Sequence, residues 1–172
     1  MKLTVLGCGT SSGVPRIGND WGTCDPTNPK NRRTRSSIIV EYEGFRMLVD
    51  TGPDLRQQLL DNHIDHVDAV IWTHDHADHC HGIDDLRQLY QRRRAPIAGY
   101  ATAVTAEALA ARFGYVFAGN SGYPATATMT VLSDTIAIGP FAVTTMEQPH
   151  GPVTSTGLRF TADERSIGYA ID

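Results

Sequence analysis

An apolar run that breaks off into a cluster of metal-binding side chains constrains this chain more than any other feature. Residues 67–73 read Val-Asp-Ala-Val-Ile-Trp-Thr, a short stretch rich in β-branched and aromatic residues of the kind that forms a buried strand. Directly behind it, His74-Asp75-His76-Ala77-Asp78-His79 puts three imidazoles and two carboxylates into six residues. A strand fixed in a sheet holds the start of the following loop rigidly, which is where ligands are best pre-positioned. Neutral imidazole and ionised carboxylate suit Zn²⁺, Mn²⁺ and Fe²⁺. Alternate residues of an extended segment share one side, so His74 and His76 can share a cation. Asp78 and His79 are then left to face a neighbouring position, and the spacing suits two cations better than one. Two cations roughly 3.5–4 Å apart can lower the pKa of a bridging water and stabilise both entering and leaving oxygens of a displacement. A solvated loop with incidental histidines is the bland alternative, and the density of donors argues against it.

The rest of the chain supplies an α/β framework. Residues 2–6 predict a first strand, and residues 37–42 and 45–49 a hairpin. Between them lies a long Gly- and Pro-containing segment, a candidate functional loop because of its length. Helices are expected over residues 54–62, from Asp84 or Asp85 to about Arg93, and from Thr102 or Thr105 to Phe113. Strands are expected at 97–100, 129–132, 135–138, 141–146, 157–161 and 166–171. Two groups of strands with helices between and outside them imply α/β layers on two sheets.

With 172 residues and 41 % hydrophobic side chains there is material for one core, so residues 1–172 are expected to form a single domain. The net charge of −4 argues against coating nucleic acid by bulk electrostatics. No apolar run approaches the roughly 20 residues that span a bilayer, so no membrane partner is expected. Residues 1–7 break at a glycine and read as a strand, not a secretion signal, which makes cytoplasmic residence the expectation. Cys8, Cys24 and Cys80, odd in number and irregular in spacing, fit reduced thiols.

The His-X-His-X-Asp-His run after a buried strand resembles the signature of the metallo-β-lactamase-fold hydrolases. Four further segments narrow the likeness: Gly7-Cys8-Gly9-Thr10-Ser11-Ser12-Gly13-Val14-Pro15, Arg32-Arg33-Thr34-Arg35-Ser36-Ser37, Asp50-Thr51-Gly52-Pro53-Asp54-Leu55-Arg56 and His79-Cys80-His81-Gly82-Ile83-Asp84-Asp85-Leu86-Arg87. These resemble the branch that contains phosphoribosyl 1,2-cyclic phosphate phosphodiesterases. The resemblance implies an αββα sandwich of two mixed sheets with outer helices. It assigns His74, His76 and His150 to a first metal, Asp78 and His79 to a second, and Asp172 to a bridge between them. The cofactors implied are two divalent ions, zinc or manganese, with iron also compatible. Asp78 and Asp50 are the candidate catalytic carboxylates, Asp50 by orienting a ligand histidine from behind. His81, His63 and His66 receive no ligand role.

Members of the family resembled continue past the bridging aspartate and add a late histidine to the second metal. The sequence is therefore expected to lack the final strands and helices, to hold its second metal more weakly, and to expose apolar sheet surface suited to homodimerisation. Relatives often carry a structural zinc in the early loop; Cys24 alone cannot make one, and none is expected. The implied substrate is a small anionic cyclic phosphodiester, attacked at phosphorus by hydroxide while the metals neutralise the phosphoryl oxygens. The arginines Arg92, Arg93 and Arg94, and Arg32, Arg33 and Arg35, could attract it, although a helix C-terminus also favours cations without any ligand. tRNA 3′-end processing is the enzymatic alternative, with little support from the acidic balance, and β-lactam hydrolysis is less favoured without a signal peptide. A silent metal-binding fragment that acts through assembly is the third reading.

Overall fold

The computed structural model describes residues 1–171. β1 (Lys2–Gly7) leads into an irregular segment with one 3-10 turn (Pro29–Asn31), then the hairpin of β2 (Ser37–Tyr42) and β3 (Phe45–Val49). There follow α1 (Leu55–Asp61), β4 (Ala69–Ile71), a single helical turn α2 (Ala77–Cys80), and a 3-10 turn (Ile83–Asp85) that runs into α3 (Leu86–Arg93). β5 (Ala98–Ala101), α4 (Ala103–Ala118) and β6 (Thr130–Val131) complete the first half. β7 (Thr135–Ile138), β8 (Phe141–His150), β9 (Val153–Ala162) and β10 (Arg165–Tyr169) form the second.

β1 to β6 make one sheet in sequence order, antiparallel as far as β3 and parallel from there on. β7 to β10 make the other, in the order β10-β9-β8-β7. The expectation of mixed pairing holds for the first sheet only: the second is antiparallel throughout. Two-residue turns at 139–140, 151–152 and 163–164 join its strands, and so tight a connection can only reverse the chain. Gly139, Gly151 and Asp163 adopt the positive φ that gives such hairpin turns the right twist.

Side-chain alternation sets the layers. Ile38, Val40, Met47, Val49, Ala69 and Ile71 point towards the second sheet and meet Phe141, Val143, Leu158 and Phe160. Their neighbours Ile39, Leu48, Val70 and Trp72 point the other way, onto Leu55 and Leu59 of α1, Leu86 and Leu89 of α3, and Leu109 and Val116 of α4. A strand covered on both faces needs apolar residues at every position, which is why residues 38–40 of β2, 47–49 of β3 and 69–71 of β4 read as unbroken hydrophobic runs. Among the described residues the helices α1, α3 and α4 cover the first sheet. Trp72, the largest fully buried side chain, donates its indole N–H to Thr51 Oγ1 at 2.8 Å, so its one polar atom is satisfied.

Three elements run well past what the sequence suggests: α4, β8 and β9, the last of which starts at Val153 instead of residue 157. α4 continues to Ala118 by bending at Phe113 (φ −126°, ψ 31°), which brings Val116 back to the core. β8 continues through His150 in register with β9, with Pro149 opposite Thr154. Proline is tolerated there because β7 pairs with β8 only up to Thr144, leaving that stretch of β8 with an open edge. Among the described residues no helix is long and apolar enough to cross a membrane.

Candidate metal centre

β4 delivers the first two imidazoles. Its parallel pairing continues past Ile71, because the Trp72 N–H donates to the Tyr100 carbonyl at 2.9 Å, so Thr73 and His74 leave the sheet along a fixed line. The Thr156 N–H, from β9, donates to the Thr73 carbonyl at 3.0 Å. That bond locks the two sheets together beside His74 and sets the height of the β8–β9 hairpin, whose tip carries His150. Sequence distance is thereby erased: the donor atoms of His74, His76 and His150 all lie within 4.8 Å of one another. His76 Nδ1 and His150 Nε2 are 3.2 Å apart, and the His74 ring centre is 4.6 Å from that of His76 and 5.1 Å from that of His150. Nitrogens at about 2.0–2.1 Å around a tetrahedral zinc lie about 3.3 Å from each other, so the donor set fits a shared divalent cation.

α2 was not foreseen as a helix. The His79 and Cys80 N–H groups both donate to the His76 carbonyl, at 3.0 and 3.1 Å, curling the chain immediately after His76. The turn presents Asp78 next to His79, with Asp78 Oδ2 3.3 Å from His79 Nε2, and sets the His79 ring 4.2 Å from that of His74. The segment after β3 clamps this turn from behind. The Thr51 N–H donates to the His79 carbonyl at 2.8 Å and the Gly82 N–H to the Thr51 carbonyl at 2.7 Å. A Cβ on Gly52 would sit 2.3 Å from the Asp78 carbonyl oxygen, and one on Gly82 2.0 Å from that of Gly52. Only glycine allows the two backbones to approach so closely.

Asp50, a candidate catalytic carboxylate by way of orienting a ligand histidine, is fully buried, so it acts on the site through its neighbours and not on a substrate. His79 Nδ1–H donates to Asp50 Oδ2 at 2.7 Å, and Asp50 Oδ1 accepts the Thr73 N–H at 2.8 Å. Its φ of 65° is in the left-handed region, which aspartate tolerates better than most residues. Asp172, the expected bridge, lies outside the described residues. His63, His66 and His81 are exposed, and His81 stands edge-on to Phe113.

Five of the six clustered arginines have structural partners. Arg92 and Arg93 pair with Asp65 and Asp68, near the start of β4 and hence at the end of that strand away from His74. Arg35 is held by Asp54 at 2.9 Å, Arg33 donates to Cys8 Sγ at 2.8 Å, and Arg32 lies over the Trp21 ring. Sequence reasoning missed Thr73, and it missed Arg112 of α4, which pairs with Asp75 and so braces the loop between His74 and His76.

Cys80 lies inside this assembly without the character of a ligand. Burial pushes its thiol up to about 12, with the charges of Asp50 and Asp78 adding to the effect. It remains a thiol, donating to the His76 carbonyl at 3.1 Å. Iodoacetamide at about pH 8 is therefore expected to label the exposed Cys8 and to spare Cys80 in the folded protein. Peptide mass mapping checks this, and rapid native labelling of Cys80 would contradict the burial.

Strand-end imidazoles converging between two stacked sheets, with helices outside, define the metallo-β-lactamase fold, a fold of metal-dependent hydrolases. The chain belongs to the beta-lactamase superfamily: residues 45–172 match that domain. It is 38 % identical to a diphosphatase of the PhnP family whose crystal structure superposes with a TM-score of 0.81, over 92 % of this chain and 61 % of the other. It is 41 % identical over 127 residues to an octanoyltransferase of Porphyromonas gingivalis, covering 73 % of this chain but 25 % of that protein. A ribonuclease Z of Clostridium kluyveri is 30 % identical over 88 residues, which is 50 % of this chain and 24 % of the enzyme. The chain thus spans about a quarter of these two curated relatives and under two thirds of the diphosphatase.

Proposed function

We propose that this chain, as one domain, carries the metal-binding part of a phosphoesterase, and that its substrate is a small cyclic phosphodiester of the phosphoribosyl 1,2-cyclic phosphate type. The observation that carries the reading is the convergence of His74, His76 and His150 within 4.8 Å, supported by the likeness to a PhnP-family diphosphatase. In this reading the three histidines hold one divalent ion, zinc or manganese, and Asp78 with His79 contributes to a second. Such ions supply charge that neutralises phosphoryl oxygens and lowers the pKa of a water. His79 is kept in orientation by Asp50, and Gly52 and Gly82 let the backbone behind it close up. The site needs no side-chain nucleophile. Among the described residues Arg92 and Arg93 are held by Asp65 and Asp68, at the far end of β4 from His74, and the chain's net charge is −4, which favours a small substrate over a tRNA.

A second reading comes from the diphosphatase itself: hydrolysis of a P–O–P anhydride asks the same of the site. The test is turnover of bis(p-nitrophenyl) phosphate by the zinc- or manganese-loaded protein beside His76→Ala, followed by a cyclic ribose phosphate, a dinucleoside diphosphate and a precursor tRNA. The proposal expects metal-dependent turnover lost in the variant, with the cyclic phosphate preferred. Preference for the diphosphate would select the second reading. Cleavage of the tRNA alone, or no turnover at all, would overturn both.

A further inference from the structure

We infer that Thr73 is a positioning residue for the metal centre: its hydroxyl links the buried Asp50 carboxylate to His74 and fixes which nitrogen of His74 faces the cation. This rests on the metal-binding reading of the histidines, not on any substrate or activity.

The number of available hydrogens decides the tautomer. Thr73 is fully buried, and its Oγ1 lies 2.8 Å from Asp50 Oδ2 and 3.0 Å from His74 Nδ1. An ionised carboxylate can only accept, so the single hydroxyl hydrogen of Thr73 goes to Asp50. Having spent it, Oγ1 can only accept from His74, and Nδ1 of His74 must carry the proton. The ring's lone pair is then on Nε2. The same carboxylate accepts Nδ1–H of His79 at 2.7 Å, with the same consequence for that ring. One buried aspartate therefore sets the tautomers of two neighbouring histidines, one directly and one through a hydroxyl. The two rings belong to different proposed metal positions, so a single carboxylate orders both.

Position 73 precedes the ligand run and reads in sequence as one more β-branched strand residue. Valine would fill the same volume and keep the strand. It would lack the hydroxyl, leaving Asp50 one donor short and taking the Thr73 oxygen away from His74 Nδ1. Serine would keep the relay.

The experiment uses the metal-free chain labelled with ¹⁵N-histidine at about pH 8, where an ordinary imidazole is neutral, read by long-range proton–nitrogen correlation. In the parent, His74 is expected as a single Nδ1–H tautomer. Thr73→Val is expected to give a tautomer mixture and to weaken Zn²⁺ binding by roughly 10–100-fold, the usual effect of losing an outer partner of a ligand. Thr73→Ser is expected to restore both. His74 found as Nε2–H in the parent overturns the proposal, even if Thr73→Val does not fold. So does a folded Thr73→Val that keeps the parent's tautomer and affinity. Because the tautomer is read without metal or substrate, a chain that hydrolyses nothing can still pass, and failure here leaves the hydrolase reading standing.

Discussion

Asp50→Ala is expected to destabilise the metal-free protein by at least about 3 kcal/mol, because each donor left unsatisfied in the interior costs about 1–3 kcal/mol. The truncation strands the Thr73 N–H and the Nδ1–H of His79 and takes the acceptor from the Thr73 hydroxyl. It also puts alanine at a φ of 65°, a conformation costing a residue without a local hydrogen bond roughly 1–2 kcal/mol. Asp50→Asn separates stability from ligation. Asparagine fits the volume and tolerates the left-handed backbone, so its stability loss should be smaller. Its amide NH₂ cannot face the Thr73 N–H, so it must take the Oδ2 position, towards His79 Nδ1. His79 then has to accept at Nδ1, which moves its proton to Nε2, the wrong nitrogen for a ligand pointing at Asp78. Urea titration should therefore rank the variants parent, Asn, Ala, while metal titration should show the second ion lost in both. An alanine variant within about 1 kcal/mol of the parent would mean that Asp50 does not organise the site.

His76→Ala and His150→Ala should behave in the opposite way. Both rings are only partly buried, so the metal-free variants should unfold near the parent's temperature. The difference appears on adding metal. An ion that binds only the native state stabilises it by about 2.7 kcal/mol when present at 100 times its dissociation constant. The parent should show the corresponding rise in Tm with zinc, and either variant should lose nearly all of it, since two imidazoles cannot enclose a cation as three do. Affinity should fall by more than the roughly 10–100-fold typical of losing an outer partner. Differential scanning calorimetry with and without zinc reads both effects. A full zinc-induced shift in His150→Ala would show that the hairpin histidine takes no part.

Much of the fold was legible because its signals are local. The hairpin of β2 and β3 has the predicted bounds, since apolar runs separated by Glu43 and Gly44 leave little choice of register. The strand before His74 and the helices after Asp54 and Asp85 were likewise readable from apolar spacing. What was not legible depends on tertiary partners. α4 passes Phe113 only because Val116 finds core on the far side of a bend, and β8 passes Met146 only because β9 offers a paired edge. At the site, His74 and His76 announced themselves, whereas His150, although it follows an apolar strand, would read by itself as a loop histidine and was assigned through resemblance. Asp50 was found as the carboxylate that orients a ligand histidine, and its 2.7 Å bond to His79 agrees; its complete burial is not written in an Asp-Thr-Gly triplet. Thr73 was missed altogether: a threonine in a strand looks like any other β-branched residue until the carboxylate beneath it is in place.

The most direct test of the account is a crystal of the zinc-soaked protein measured across the zinc absorption edge. An anomalous peak is expected about 2.0–2.1 Å from one nitrogen each of His74, His76 and His150, with Nε2 the ligating atom of His74. No peak among these rings, or a zinc held without His150, would contradict it.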